Sequence, residues 1–224
     1  MSQNNECYPL DISTIVNRGF KNDAFGQGGW LNLQEDDARG IVPGACVVGK
    51  VPFRILDPKT NANKSVLVLH PDDPLFAAEK SLPHKKKFGR IYILHTACIS
   101  GITVGSLVLN YADGSLFEIS VDNDVHLVGN WWESDLYCAS EARPVCFKNT
   151  GNLSHECVKL YGASIKNPHP DRVVDNIVFR AGREKKNKPT WIVVALVVGP
   201  SVDRIGARSR QTIRVNLGLP MSGC

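Results

Sequence analysis

Short runs of β-branched, aromatic and aliphatic residues recur along the chain, separated by clusters of Gly, Pro, Asn and Asp. Runs of this kind are typical of β-strands. The pattern predicts strands at residues 46–56, 65–70, 89–97, 103–111, 115–121, 144–147, 157–164, 173–180 and 190–198, with an earlier β-type element at 10–16. A single helical turn is predicted at 75–80, and residues 212–217 fit either a last strand or a loose end.

The runs at 103–111 and 115–121 give the clearest local signal. Asp113-Gly114 between them suits a two-residue hairpin turn, which needs positive φ at its centre. Alternation divides the first run between two faces, with Val104, Ser106, Val108 and Asn110 on one and Leu107, Leu109 and Tyr111 on the other. The run at 190–198 is apolar at every position but its first, which predicts a strand buried on both faces.

Many short strands with frequent turns predict an all-β sandwich or barrel. The chain of 224 residues has the length of one β domain. We assign residues 1–200 to a single β-sandwich domain and 201–224 to a basic C-terminal extension. No apolar run approaches the roughly 20 residues of a membrane helix. The first residues lack the features of a signal peptide, so the sequence as written predicts a cytoplasmic location.

An ordered set of short motifs spans residues 10–198. The set comprises Asn17-Arg18-Gly19-Phe20, Gly28-Gly29-Trp30, Val51-Pro52-Phe53, Asp57-Pro58, YILHTA at 92–97, YADGS at 111–115, Asn130-Trp131-Trp132, NPHP at 167–170 and the strand at 191–198. In this order they resemble the galactose-binding-like jelly-roll modules of bacterial polysaccharide-degrading proteins, a family that is often extracellular. The resemblance implies a jelly-roll sandwich of two antiparallel sheets and a non-catalytic, carbohydrate-binding role.

Loop aromatics and a Pro-rich turn supply the candidate ligand-binding residues. Trp131 and Trp132 follow a strand, and adjacent residues of an extended chain point to opposite faces. One ring is then available to a sugar, unless both close the end of the sandwich. Trp30, in the Gly-rich segment 21–45, likewise either contacts a sugar or packs against the sandwich. Asn167 and His169 either offer polar contacts to a sugar hydroxyl or serve only their turn.

These residues predict a carbohydrate ligand. The alternative is a structural or protein–protein interaction module whose aromatics lie in the core. Asn22, Asp23, Asp36 and Asp37 are rich in oxygen but lack the spacing of a calcium loop. We therefore expect no cofactor, with a structural calcium ion as the alternative.

His95 and the cysteines are interpreted structurally. His95 lies within an apolar run, which favours a core or edge histidine held by a hydrogen bond. The 7 cysteines are odd in number and form no CxxC, so free thiols are favoured over a single disulfide.

The net charge is only +4, and the basic residues form local clusters at 85–87, at 183–188 and at Arg204, Arg208, Arg210 and Arg214. These clusters lack the interleaved aromatics of a nucleic-acid site, which favours solvated loops.

No nucleophile elbow, H-E-x-x-H motif or P-loop occurs, and no motif pairs the two carboxylates of a glycosidase. The sequence therefore predicts a binding protein and not an enzyme.

Overall fold

The computed structural model describes residues 6–21, 29, 38, 40–74, 76–98, 103–122, 126, 142–148, 157–183, 189–202, 204–205 and 213–214. Trp30, Trp131 and Trp132 lie outside these residues, as do the oxygen-rich residues Asn22, Asp23, Asp36 and Asp37. The predictions made for them stay predictions.

The described chain is built from β-strands in three layers. A 7-stranded sheet has the order β1 (Tyr8–Pro9), β12 (Thr190–Gly199), β6 (Arg90–Cys98), β10 (Cys157–Lys166), β9 (Ala142–Lys148) and β13 (Ile213–Arg214), with β4 (Leu67–Leu69) also paired to β12. A 4-stranded sheet has the order β5 (Glu79–Lys86), β11 (Val174–Ala181), β7 (Thr103–Tyr111) and β8 (Leu116–Asp122). The third layer is the hairpin of β2 (Gly44–Val48) and β3 (Val51–Ile55).

Antiparallel pairing dominates, as expected for strands joined by short turns. Each described strand pair is antiparallel except that of β13 with β9. The two large sheets pack face to face, so the fold is an all-β sandwich.

Two hydrophobic cores lie on opposite faces of the 7-stranded sheet. The larger core packs that sheet against the 4-stranded sheet and includes Ile93, Leu107, Phe179 and Trp191. The smaller core packs it against the β2–β3 hairpin and includes Phe53, Tyr92 and Ile192. Since burial of apolar surface is the main stabilising term, both faces of this sheet contribute to the stability of the fold.

Strand β12 supplies residues to both cores. Trp191 and Val193 face the larger core, whereas Ile192 and Val194 face the smaller one. Every residue from Trp191 to Gly199 is buried. This placement confirms the prediction of a strand buried on both faces.

Several local predictions were wrong. The run 46–56 is not one strand but part of a hairpin, because Gly49 turns the chain at φ 63° between β2 and β3. A Cβ at Gly49 would lie 2.6 Å from the Arg204 carbonyl oxygen, so the turn needs glycine on steric grounds as well. Residues 10–16, predicted as a β-type element, form no strand and contain a turn at 13–15 after β1.

The predicted helical turn at 75–80 is also wrong, since Glu79 and Lys80 begin strand β5. This strand contains Lys85 and Lys86, which the sequence placed in a solvated loop. It lies at one edge of its sheet and carries Pro83, and a proline together with charged side chains protects an exposed edge from pairing with other chains.

A bulge in β7 overturns one facial assignment. The register with β8 shifts between Thr103 and Gly105, and this shift turns Val104 inward to join Leu107 in the larger core. The remaining outward positions, Ser106, Val108 and Asn110, lie on the face predicted for them.

Candidate functional site

The turn between β7 and β8 is fixed by its own side chains. Gly114 adopts φ 82° and donates its N–H to the Tyr111 carbonyl at 2.9 Å. The Asp113 carboxylate accepts hydrogen bonds from the N–H of Ser115 at 3.0 Å and from its hydroxyl at 2.5 Å. These bonds, helped by the nearby Arg172 guanidinium, lower the pKa of Asp113. The carboxylate is therefore ionised at neutral pH and held in one orientation.

Residues 167–173 form a second loop that is tied to this turn. The N–H of Ala112 donates to the Val173 carbonyl at 2.9 Å. Arg172 lies 3.3 Å from the Asp113 carboxylate and donates to the Ser115 hydroxyl at 2.9 Å. Its guanidinium also lies 5.9 Å from the centre of the Tyr111 ring. The loop at 167–173 thus places the Arg172 cation beside the Asp113 carboxylate of the β7–β8 turn.

Asn167 is the internal anchor of the second loop. Its side-chain oxygen accepts hydrogen bonds from the Tyr111 hydroxyl at 2.7 Å and from the His169 N–H at 3.0 Å. Its side-chain nitrogen donates to the Phe88 carbonyl at 2.8 Å, and its backbone N–H donates to Gly89. Asn167 is 1% exposed. The structure therefore places it beneath the loop, where it positions His169.

His169 lies at the surface between two aromatic rings. Its ring is T-shaped to Tyr111 at 5.6 Å and to Phe117 at 6.0 Å between ring centres. The imidazole is half-buried, whereas Phe117 is 41% exposed. We call the set Tyr111, Asp113, Phe117, His169 and Arg172 the hairpin-end surface.

The hairpin-end surface combines an accessible aromatic ring with a fixed ion pair. The side chains of Arg172 and Asp113 are 45% and 51% exposed, so both can meet a ligand from solvent. Leu116, at 66% exposed, precedes Phe117 on β8 and points to the opposite face of the sheet. An aromatic ring packs against C–H groups, while a carboxylate and a guanidinium bind hydroxyls. The surface is therefore suited to an amphipathic, hydroxyl-rich molecule.

A second histidine cluster lies in the larger core. His95 accepts a hydrogen bond at Nδ1 from the Trp191 indole at 3.0 Å and donates from Nε2 to the His126 carbonyl at 3.1 Å. Burial lowers the pKa of His95 to about 3. The ring is thus neutral with its proton on Nε2, and the interpretation of His95 as a core residue is confirmed.

The structure brings two predicted site residues, the surface His169 and the buried Asn167 beneath it, together with three that the sequence analysis missed. Tyr111, Phe117 and Arg172 belong to a hairpin and a loop that meet only in the folded chain. The available signal was Phe117 beside Glu118 directly after a tight turn, an aromatic placed where a strand begins.

The described part of the chain shows neither a metal-ligand cluster nor a membrane-spanning helix. Within it, no group of three or more His, Cys, Asp or Glu side chains is arranged to hold a metal ion. None of its helices has the length and apolar character needed to cross a bilayer. Cys7 and Cys46, the two cysteines whose thiol state is described, are free.

No family model matches the sequence, and no curated protein matches it either.

Proposed function

We propose that this protein is a non-catalytic carbohydrate-binding module that binds its glycan at the hairpin-end surface. The observation that carries the proposal is Phe117, a 41% exposed aromatic ring that packs against His169 at the same hairpin end as the Arg172–Asp113 ion pair. We further propose that the sandwich is of the jelly-roll, galactose-binding-like type.

The chemistry of a sugar suits this arrangement. One face of a pyranose ring presents C–H groups that pack on an aromatic ring, and its edge presents hydroxyls. Arg172 and Asp113 supply both donors and acceptors next to Phe117. Because Ser115 and Arg172 already hold the carboxylate, little side-chain entropy is lost when a ligand binds.

The test is a glycan array followed by thermal unfolding of the full chain with each hit. A ligand that binds only the folded state raises the melting temperature with concentration. We expect at least one neutral glycan to do so, and we expect Phe117→Ala to abolish the shift. Val202→Ala is the matched control, since Val202 is an exposed apolar residue at 66% outside the surface. Absence of binding to every glycan contradicts the proposal.

Trp30, Trp131 and Trp132 remain predicted contacts of the same ligand. Replacing each in turn by alanine tests them separately, with the tryptophan fluorescence of the wild type as a second readout. If only the Trp variants lose binding and Phe117→Ala keeps it, the ligand binds elsewhere than the hairpin-end surface.

A protein-interaction module is the second candidate function. Val47 on the outer side of the β2–β3 hairpin is 56% exposed, and it pairs with the exposed Pro52. Light scattering after size exclusion tests this candidate. A stable oligomer that Val47→Asp dissociates supports it, whereas a monomer that binds a glycan supports the carbohydrate proposal.

A further inference from the structure

The two edges of the 4-stranded sheet differ in their protection against pairing with other chains. β5 forms one edge and carries Pro83 and several lysines, which are features that keep a strand from pairing further. In the described part of the chain β8 forms the other edge, and its sequence LFEISVD contains neither proline nor lysine. β8 therefore lacks the protection that β5 has.

The backbone groups of β8 alternate between β7 and the free edge. The Tyr111 N–H donates to the Ser115 carbonyl at 2.8 Å, so the backbone of Ser115 faces β7. Along an antiparallel strand every second residue then faces the same neighbour. The residues in between direct their N–H and C=O groups to the free edge, and these are Leu116, Glu118 and Ser120. A further antiparallel strand could bind these groups.

The acidic side chains of β8 are turned away from its free edge. Glu118 accepts a hydrogen bond from the Ser106 hydroxyl at 2.5 Å and lies 3.7 Å from the Arg180 guanidinium. Asp122 accepts a hydrogen bond from the Thr103 hydroxyl at 2.8 Å. Because Ser106 and Thr103 belong to β7, both carboxylates point back over the sheet. Neither charge lies across the path of an approaching strand.

Apolar surface is exposed along the same strand. Leu116 is 66% and Phe117 is 41% exposed, on opposite faces of β8. Ile119 is partly buried and packs against the larger core. Exposed apolar side chains beside free backbone donors and acceptors favour the addition of a strand, since pairing covers both.

The sequence of β8 is compatible with pairing to itself. The antiparallel register that overlaps the whole strand places Ile119 opposite Ile119 of a second copy, and Glu118 opposite Ser120. Moving the centre by one residue in either direction places Glu118 opposite a second Glu118 or opposite Asp122. Like charges directly opposite each other destabilise a sheet. Full overlap is therefore both the longest pairing and the one that avoids this repulsion.

We infer that this protein forms a twofold dimer in which β8 pairs antiparallel with β8 of a second copy. The pairing joins the two 4-stranded sheets into one continuous sheet and places Phe117 beside Val121 of the second copy. The edges that remain are the protected β5 strands. A twofold contact of this kind closes on itself, so the product is a dimer and not a polymer.

This inference goes beyond the proposed function and is tested without glycan, so each can fail while the other holds. The test is sedimentation velocity of the full chain at protein concentrations from about 1 to 500 μM, a range that covers weak interfaces. We expect the wild-type protein to pass from monomer to dimer within this range.

Ser120→Pro tests the free edge itself. The change removes an N–H that faces the free edge, and the β7–β8 ladder does not use this donor. Both copies lose a hydrogen bond, so we expect the Kd of the dimer to rise by roughly thirtyfold. Val47→Asp is the control, because Val47 is 56% exposed on the β2–β3 hairpin and should leave the Kd unchanged.

Ser120→Glu and Ser120→Lys form a matched pair that tests the register. The glutamate lies opposite Glu118 of the second copy and should raise the Kd by roughly tenfold. The lysine meets the same carboxylate and should keep the wild-type Kd or lower it. Because Ser120 is exposed, we expect all three variants at this position to remain folded, and their melting temperatures check this.

A wild-type protein that stays monomeric over the whole range overturns the inference and leaves a strand of a different protein as the occupant of this edge. Dimers that persist in both Ser120→Pro and Ser120→Glu also overturn it, as does equal weakening by Ser120→Glu and Ser120→Lys. Dissociation by Val47→Asp overturns it in favour of an interface at the β2–β3 hairpin.

Discussion

The molecule contains two histidines set among aromatic rings, and their surroundings differ. His95 is fully buried beside Trp191, and both of its ring nitrogens are used within the protein. His169 is half-buried between Tyr111 and Phe117, and its backbone N–H is held by Asn167. The first cluster joins parts of the core, whereas the second presents the Phe117 ring and part of the His169 ring to solvent above the buried Tyr111. Burial, and not residue type, separates a stabilising cluster from a candidate binding surface.

The core cluster tolerates no extra atoms. Gly105 packs against Trp191, and a Cβ at this position would lie 2.4 Å from Cε3 of the indole and 2.5 Å from the Arg180 carbonyl. Interiors packed this closely respond strongly to changes of volume. The surface cluster has solvent on one side, so we expect it to respond far less.

The largest expected effect comes from Trp191→Ala. The change leaves a cavity in the larger core and removes the donor to His95, so we expect the free energy of unfolding to fall by about 4 kcal/mol. Denaturant unfolding measures this loss. Val47→Ala, at a site 56% exposed, is the control and should change little. A loss below about 1 kcal/mol for Trp191→Ala would show that the core cluster is not tightly packed.

Asn167→Ala tests the anchor beneath the surface cluster. It leaves the Tyr111 hydroxyl, the Phe88 carbonyl and the His169 N–H without their partner, and we expect a loss of about 3 kcal/mol. Tyr111→Phe removes only one of these bonds and should cost about 1 kcal/mol. Equal losses in the two variants would contradict the anchoring role.

The third expected effect is a dependence of stability on pH. Burial lowers the pKa of His95 to about 3, and burial together with Lys86 lowers that of His84 to about 4. Below the unfolded-state pKa of about 6.5, the unfolded chain binds protons that the folded protein excludes. Stability is therefore greatest above that pH and falls as the pH decreases toward these lowered values.

Between pH 6.5 and pH 5, His95 alone should cost on the order of 2 kcal/mol. Urea unfolding at a series of pH values measures the slope. His95→Gln should flatten it, and His84→Gln should remove only the share of the second histidine. An unchanged slope in His95→Gln would mean that other groups cause the acid sensitivity.

The smallest expected effect on stability is that of Phe117→Ala. Its ring is 41% exposed and contacts His169 at its edge, so we expect a loss of less than about 1 kcal/mol. The same variant should abolish glycan binding. A large loss of stability would show that Phe117 is mainly a packing residue, as Trp191 is, and not part of a binding surface.

The sequence correctly predicted those strands whose conformation depends on residues within the same segment. Thr103–Tyr111 has the predicted bounds because its alternation and the following Asp-Gly turn act within the segment. β5 was missed because its sequence, EKSLPHKK, is polar, and its extended form comes from pairing with β11. The β2–β3 hairpin was read as one strand because its turn depends on Gly49 packing against Arg204.

The candidate site was predictable only in part for the same reason. The NPHP segment drew attention to His169, since rigid turns are common in binding loops. Phe117 and Arg172 are 55 positions apart in sequence. Arg172 lies in the same turn as His169, whereas Phe117 becomes a neighbour of both only when β7 pairs with β8 and β11.

β12 pairs with β1, β4 and β6, which are all synthesised before it. β6 pairs with β12 across about 100 residues of sequence. At usual rates of synthesis, about 5–20 s pass between the synthesis of β6 and that of β12. β4 and β1 wait longer, since they pair with the same strand. Neither core closes before residue 199 has left the ribosome. Until β12 emerges, the nascent chain exposes the strand edges and apolar faces that β12 later covers.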